Sequence, residues 1–325
     1  MKFCMIGARG HSYYAYQVLK NLPEVQLTAI APLGDLRAAS LIQATAPWNP
    51  RQYDDWRAML DREQPALVCI DGPFEQHAEM AAEALRRGIH VFCEKPVATT
   101  FAQLEMLEAA WRASGRHIRS MVGLRYDAAF LHAYRLVQAG AIGKIKLVRT
   151  QKSYKLGKRP EFYKRRDTYG GTIPWVGSHA IDWILYYTGD AFECVTAYHD
   201  ATDNFDHGDL EIAAHCLFRL KNGVIADAGI DFLRPATAAT HGDDRVRLAG
   251  TRGVLEVLGG KVHLIDANGD RVLDPPPADR DVFGDFVHEL ADGRPSLVSD
   301  EETFALARAI LLARESADTL TTLHF

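Results

Sequence analysis

A lysine closes one of the most apolar runs of this chain. Ile89-His90-Val91-Phe92-Cys93 leads directly into Glu94-Lys95-Pro96. Arg87-Gly88 opens the run and a proline ends it, the pattern of a buried strand that stops in a turn. Burying an ammonium costs several kcal/mol or forces it to give up its proton. A lysine at the inner end of such a strand is therefore a snorkelling surface residue or a group with a chemical task. A second polar pair stands in the apolar segment Trp175-Val176-Gly177-Ser178-His179-Ala180-Ile181-Asp182-Trp183-Ile184-Leu185. The spacing predicts a helix with His179 and Asp182 on neighbouring positions of one face. Lysine and imidazole are both proton-transfer groups. A lysine of ordinary pKa, ~10.4, stays protonated near neutral pH unless its surroundings lower that value. By residue type alone, His179 reads as a hydrogen-bonded core histidine.

The first half of the chain alternates short apolar runs with helical periodicity. Strand patterns cover 3–6, 25–31, 66–70, 89–93 and 118–124. Helical patterns cover 13–22, 36–46, 56–63, 76–87 and 101–114. Such alternation predicts a parallel sheet with helices on both faces, and ligands bind beyond the carboxyl ends of its strands. Gly7, the Asp71-Gly72-Pro73 turn and Lys95 then share one rim.

The turn after the first strand, Gly7-Ala8-Arg9-Gly10, stands where a dinucleotide fingerprint G-x-G-x-x-G belongs. The three glycine positions hold Gly7, Arg9 and Ser12, with an extra glycine at Gly10. Gly10 supplies backbone freedom, Arg9 can lie along phosphates, and the start of the following helix attracts a pyrophosphate. The plainer reading is an ordinary strand-turn-helix connection. The usual acid at the end of the second strand is missing; Asp35 comes three residues late and reaches a ribose only if its loop folds back. Arg37 suits a 2'-phosphate, so NAD and NADP both stay open.

After Gly123 the pattern changes. A helix is expected over 130–138 and a strand from Lys146. Residues 152–166 hold Lys155, Lys158, Arg159, Lys164, Arg165 and Arg166, read as a solvated loop or as a basic lip for an anionic substrate. Further strands are expected over 211–220, 223–230, 245–249, 254–258 and 261–265, with hairpin turns at Asn222-Gly223 and at 267–270. Helices over 283–292 and 301–318 end the chain.

The chain has 325 residues, a net charge of -5 and an unremarkable apolar content of 47%. The length favours two domains, 1–122 and 123–325. The mild acidity argues against a nucleic-acid partner. Five cysteines without a CxxC pair fit a reducing compartment, and no apolar run is long enough to span a membrane, so a cytoplasmic location is expected. His199, His207 and His215 match no zinc spacing, and no metal is expected.

These motifs, in this order, resemble the glucose-fructose oxidoreductase / inositol dehydrogenase (Gfo/Idh/MocA) family. The resemblance rests on the Gly7 turn, Gly72-Pro73 followed by His77, and the specific block from Ala84 through Lys95 to Pro96. Ile142-Gly143-Lys144-Ile145, Gly170-Gly171 with His179 and Asp182, and Gly250-Thr251-Arg252-Gly253 continue it. It implies an α/β protein: an N-terminal Rossmann domain with a doubly wound parallel sheet, and a C-terminal α/β domain with a large open, mainly antiparallel sheet. It also implies NAD or NADP, a sugar-like substrate, and a homo-dimer or homo-tetramer. Lys95 and His179 become the candidate catalytic residues, since the lysine of this tripeptide lies near nicotinamide and substrate in the family. Cofactor-binding candidates are Gly7, Arg9, Gly10, His11, Ser12, Asp35 and Arg37, then Gly72, Pro73 and His77, then Glu94, Lys95 and Pro96. Substrate candidates are Lys95, Arg125, Tyr126, Tyr169, Trp175, His179 and Asp182. Family members often carry an aspartate four residues before the histidine; Trp175 stands there. The expected reaction is reversible oxidation of a secondary alcohol with NAD(P). The alternatives are a glycosidase or lyase that retains its NAD, and a non-catalytic NAD(P)- or metabolite-binding regulator.

Overall fold

The computed structural model describes all residues, Met1–Phe325, and divides them into two compact units. The first comprises Met1–Gly123 together with Arg280–Phe304; the second comprises Leu124–Asp279 and Ala305–Phe325. Residues 280–304, expected in the second domain, thus pack with the first. The cause is aromatic. Phe283, at the start of the helix Val282–Asp292, is fully buried, with its ring 5.0 Å from Phe3 and 5.2 Å from Phe92.

The first unit is built on six strands: β1 (Lys2–Ile6), β2 (Gln26–Ala31), β3 (Arg51–Gln52), β4 (Leu67–Ile70), β5 (His90–Cys93) and β6 (Ile118–Ser120). Their spatial order is β3-β2-β1-β4-β5-β6, and every pair is parallel. This is the doubly wound arrangement, in which the order reverses between β1 and β4. The near-continuous apolar runs of β1 and β4 suit strands covered on both faces. Register matters most here. Ile6 lies beside Ile70, and Ile70 beside Cys93, so Gly7, Asp71 and Glu94 emerge side by side at the carboxyl edge.

The helices Trp56–Glu63 and Phe101–Ser114 match the sequence pattern, each with a side-chain N-cap, from Asp55 and Thr100. The expected helix over 13–22 does not form as one element. It is a four-residue turn, Tyr13–Tyr16, followed by a 3-10 turn, Leu19–Asn21. Three tyrosines and a valine are mediocre helix formers, and Pro23 follows closely.

The second unit carries a nine-stranded sheet: β7 (Ile145–Tyr154), β8 (Phe192–Asp200), β9 (Ala213–Leu220), β10 (Ile225–Asp231), β11 (Gly242–Gly250), β12 (Val254–Leu258), β13 (Lys261–Asp266), β14 (Gly269–Leu273) and β15 (Leu323–His324). The order is β14-β13-β12-β11-β7-β10-β9-β8-β15, and only β7 with β10 is parallel. The Asn222-Gly223 turn joins β9 to β10, with Gly223 at φ +83°. The buried helix Gly177–Thr188 packs against β7 and β10. No helix is long and apolar enough to cross a membrane.

Candidate active site

In the first unit the turn after β1 is surrounded by carboxylates. Gly7 adopts φ +76°, and a Cβ there would lie 2.5 Å from the backbone of Asp71 and Gly72, so only glycine fits. Beyond it, every backbone N–H from residue 7 to residue 12 has a partner inside the protein. Gly7 donates to the Ala31 carbonyl and Arg9 to the Asp71 carbonyl, both at 2.8 Å. Ala8 donates to Asp35 Oδ2 at 3.1 Å. Gly10 and Ser12 donate to the two oxygens of the Asp71 carboxylate, at 2.6 and 2.8 Å. His11 donates to Glu94 Oε2 at 2.6 Å, and its Nδ1 lies 2.5 Å from the same oxygen.

Asp71 and Glu94 are both fully buried. Burial raises the Asp71 carboxyl well above its ordinary range, and the neighbouring Glu94 charge adds to the effect against the turn's N–H bonds. Burial acts in the same direction on Glu94, yet His11, Lys95 and His77 outweigh it and hold that carboxyl below its usual value. Asp35 does fold back over the turn, as a ribose-binding acid would have to. Its other oxygen is 3.1 Å from the Arg9 guanidinium, which also approaches Glu75 at 4.0 Å. Arg37 donates to the Gly10 carbonyl at 2.7 Å. About 10 Å³ of open space remains among Ala8, Gly10, Ser12, Tyr13, Tyr16 and Arg37, room for about one water.

As it stands, then, the turn does not offer its N–H groups to a diphosphate. The donors stand where a dinucleotide needs them, but the chain's own carboxylates hold them. The four-residue helical turn that follows is too short to add a useful dipole. Sequence reasoning passed over Asp71 as a side chain. The register of β1 and β4 was the signal, since it sets Asp71 next to Gly7.

At the same edge, Lys95 is 3% exposed, and Glu94 Oε1 accepts its backbone N–H at 2.7 Å. Pro96 follows through a cis peptide bond. His77 is fully buried and braces two main-chain segments, with Nδ1 2.9 Å from the Pro96 carbonyl and Nε2 3.0 Å from the Gly72 carbonyl. Burial, the dominant influence, lowers its pKa. Gly72 and Pro96 supply the two carbonyls of this brace, while the Pro73 carbonyl accepts the Gln76 N–H at 2.9 Å.

In the second unit His179 is buried in the helix Gly177–Thr188. Asp182, one turn further, takes a bidentate pair from Arg125, Nε at 2.8 Å and Nη2 at 2.7 Å. The Arg125 guanidinium also lies 4.9 Å from the Tyr186 ring. A buried bidentate pair of this kind fixes both side chains. Tyr126 is buried, and Trp175 is buried edge-on to Tyr163. Tyr169 is buried with its hydroxyl 3.3 Å from Thr172, and burial raises its pKa well above the usual phenol value, so it stays protonated.

The basic stretch is not uniformly solvated. Lys158 and Arg165 are exposed, but Lys152 is 0% exposed. Its Nζ lies 2.5 Å from Asp244 on the neighbouring strand β11 and 4.7 Å from the Tyr154 ring. The period-two pattern of β7 contains the reason: Val148, Thr150 and Lys152 share the inward face. No group of three His, Cys, Asp or Glu is placed to hold a metal ion.

Residues 1–122 match the model of an oxidoreductase family with an NAD-binding Rossmann fold, and residues 130–256 match the GFO/IDH/MocA C-terminal domain. A solved structure from Thermotoga maritima, described as an oxidoreductase, is 42% identical over the full length of both chains, with a TM-score of 0.95. Inositol 2-dehydrogenase from Salmonella paratyphi B is 25% identical over 59% of this chain and 55% of its own length, so the match spans about half of that relative. A levoglucosan dehydrogenase complex with NADH and levoglucosan shares the fold at 19% identity and a TM-score of 0.83, covering 100% of this chain and 99% of that one.

Proposed function

The chain belongs to the Gfo/Idh/MocA family of NAD-binding oxidoreductases, and from that membership we propose that it interconverts a secondary alcohol and a ketone on a sugar-, polyol- or sugar-acid-like substrate. Lys95 is the acid–base group in this reading, and His179 a second proton-transfer group. Alcohol oxidation releases a hydride and a proton. A nicotinamide cofactor, when bound, supplies the hydride acceptor; the protein must handle the proton. Lys95 Nζ, when deprotonated, takes the hydroxyl proton, and in the reverse direction returns it to the alkoxide.

One observation carries this reading. A lysine only 3% exposed stands at the carboxyl edge of the parallel sheet, next to the turn after β1, with its main chain held by Glu94. Ligands gather at that edge in doubly wound sheets, which places the buried lysine beside the Glu94 charge where a substrate would come. The relatives named inositol 2-dehydrogenase and levoglucosan dehydrogenase support a polyhydroxylated substrate.

The test is a panel of inositols, anhydrosugars, aldoses and sugar acids with NAD or NADP, read by nicotinamide absorbance. Lys95→Met keeps the length and packing of the stem. It should lower kcat by about 10²–10⁴-fold with an unchanged thermal midpoint. Turnover within a few-fold of the parent would remove Lys95 from the chemistry.

A further inference from the structure

We propose that Asp71 sets the affinity of the glycine turn for a dinucleotide: its carboxylate occupies the Gly10 and Ser12 N–H groups that a diphosphate needs, and binding requires its displacement. This deepens the cofactor part of the reading above and rests on it.

The argument starts from donor count. A diphosphate at such a turn is held by several backbone N–H groups at once. Here one carboxylate spans two of them, with its oxygens at 2.6 and 2.8 Å, the same two-oxygen grip a diphosphate would make. The turn's donors are therefore already taken by a side-chain acceptor. Asp71 is fully buried with Glu94 beside it, so an anion arriving at this place meets occupied donors and the Glu94 charge rather than open N–H groups. The nearby cations do not offset this. Arg9 is paired with Asp35, and Arg37 is engaged with the Gly10 carbonyl.

Gly10 reports the same crowding. A Cβ there would collide with the Glu94 carboxylate and lie 2.9 Å from Asp71 Oδ1. The glycine is needed for the chain's own carboxylates to approach. Of the two acids, Asp71 is the one whose side chain serves the turn alone. Glu94 also holds the backbone of Lys95, so replacing it disturbs the reacting end as well.

The experiment is calorimetric titration of the full-length protein with NADH, NADPH and ADP-ribose, the last carrying the diphosphate without the nicotinamide. The parent is compared with Asp71→Ala and Asp71→Asn. The proposal expects both variants to bind NADH or NADPH, and ADP-ribose, at least about tenfold more tightly than the parent, a gain of about 1.4 kcal/mol. A purely structural role for Asp71 would not raise affinity. Should the alanine variant fail to fold, the asparagine variant, which keeps the shape and one acceptor, decides alone. Folded variants that bind no more tightly than a dinucleotide-binding parent overturn the proposal and leave the cofactor reading intact. Absence of binding by the parent and by both variants overturns the cofactor reading and this proposal with it.

Discussion

Replacing Phe283 by alanine tests whether a helix far along the chain completes the core of the first unit. Phe283 is fully buried, with its ring 5.0 Å from Phe3 in β1 and 5.2 Å from Phe92 in β5. Phe286, one turn on, is equally buried and lies 6.3 Å from Phe92. The site is thus walled by rigid strands on one side and by its own helix on the other, so it cannot collapse easily. Removing a ring from such a place costs about 3–5 kcal/mol, the transfer energy of the lost atoms plus the cavity left behind. The first unit has about 150 residues, and for that size each kcal/mol moves the midpoint by about 2–4 °C. The expected loss is therefore about 6–20 °C in Tm, and a matching fall in urea midpoint at unchanged m. Val272→Ala, on the exposed face of β14, serves as the control and should stay within about 0.5 kcal/mol. A Phe283→Ala loss below about 1 kcal/mol would refute the assignment of residues 280–304 to the first unit's core.

Two further perturbations follow from the same unit. His90 Nδ1 accepts the His117 N–H at 3.0 Å, and burial, then His117, Arg116 and Arg119, push its pKa down to about 4 against the opposing pull of Asp300. Unfolded histidine titrates near 6.5, so between about pH 6.5 and about pH 4 the unfolded chain binds a proton that the folded chain refuses, and stability falls with pH across that window. With the half-buried ring screened by solvent, the loss by pH 4 should be about 1–2 kcal/mol, and His90→Asn should flatten that part of the urea-midpoint profile; an unchanged slope would rule the group out. Gly7→Ala should destabilise by about 2–5 kcal/mol, since it adds left-handed strain at φ +76° to a contact with backbone atoms that cannot swing aside. Gly189→Ala, at φ +60° with open space around it, should lose only about 1–2 kcal/mol in the same denaturation series.

Sequence by itself determined the features that depend on local pattern. Alternating apolar runs and helical periods specified a parallel sheet, because strands buried on both faces must be apolar throughout. The position of Lys95 at a strand end put it on the ligand-bearing edge, and Asn222-Gly223 set a hairpin. Period two in β7 already held the buried orientation of Lys152, although the density of charge around it pointed to a solvated loop.

Tertiary structure alone decided what depends on distant partners. Residues 280–304 return to the first unit because their aromatic face fits Phe3 and Phe92, and nothing local marks which core an amphipathic helix will cover. The glycine turn is the sharpest case. Gly7 and Gly10 announce a backbone ready to hold an anion, but which anion holds it is set by Asp71 and Glu94, 61 and 83 residues from the N–H groups of Gly10 and His11 that they take. Only parallel register brings those carboxylates to the donors, and hydrogen bonds between groups so far apart in sequence leave no periodicity to read.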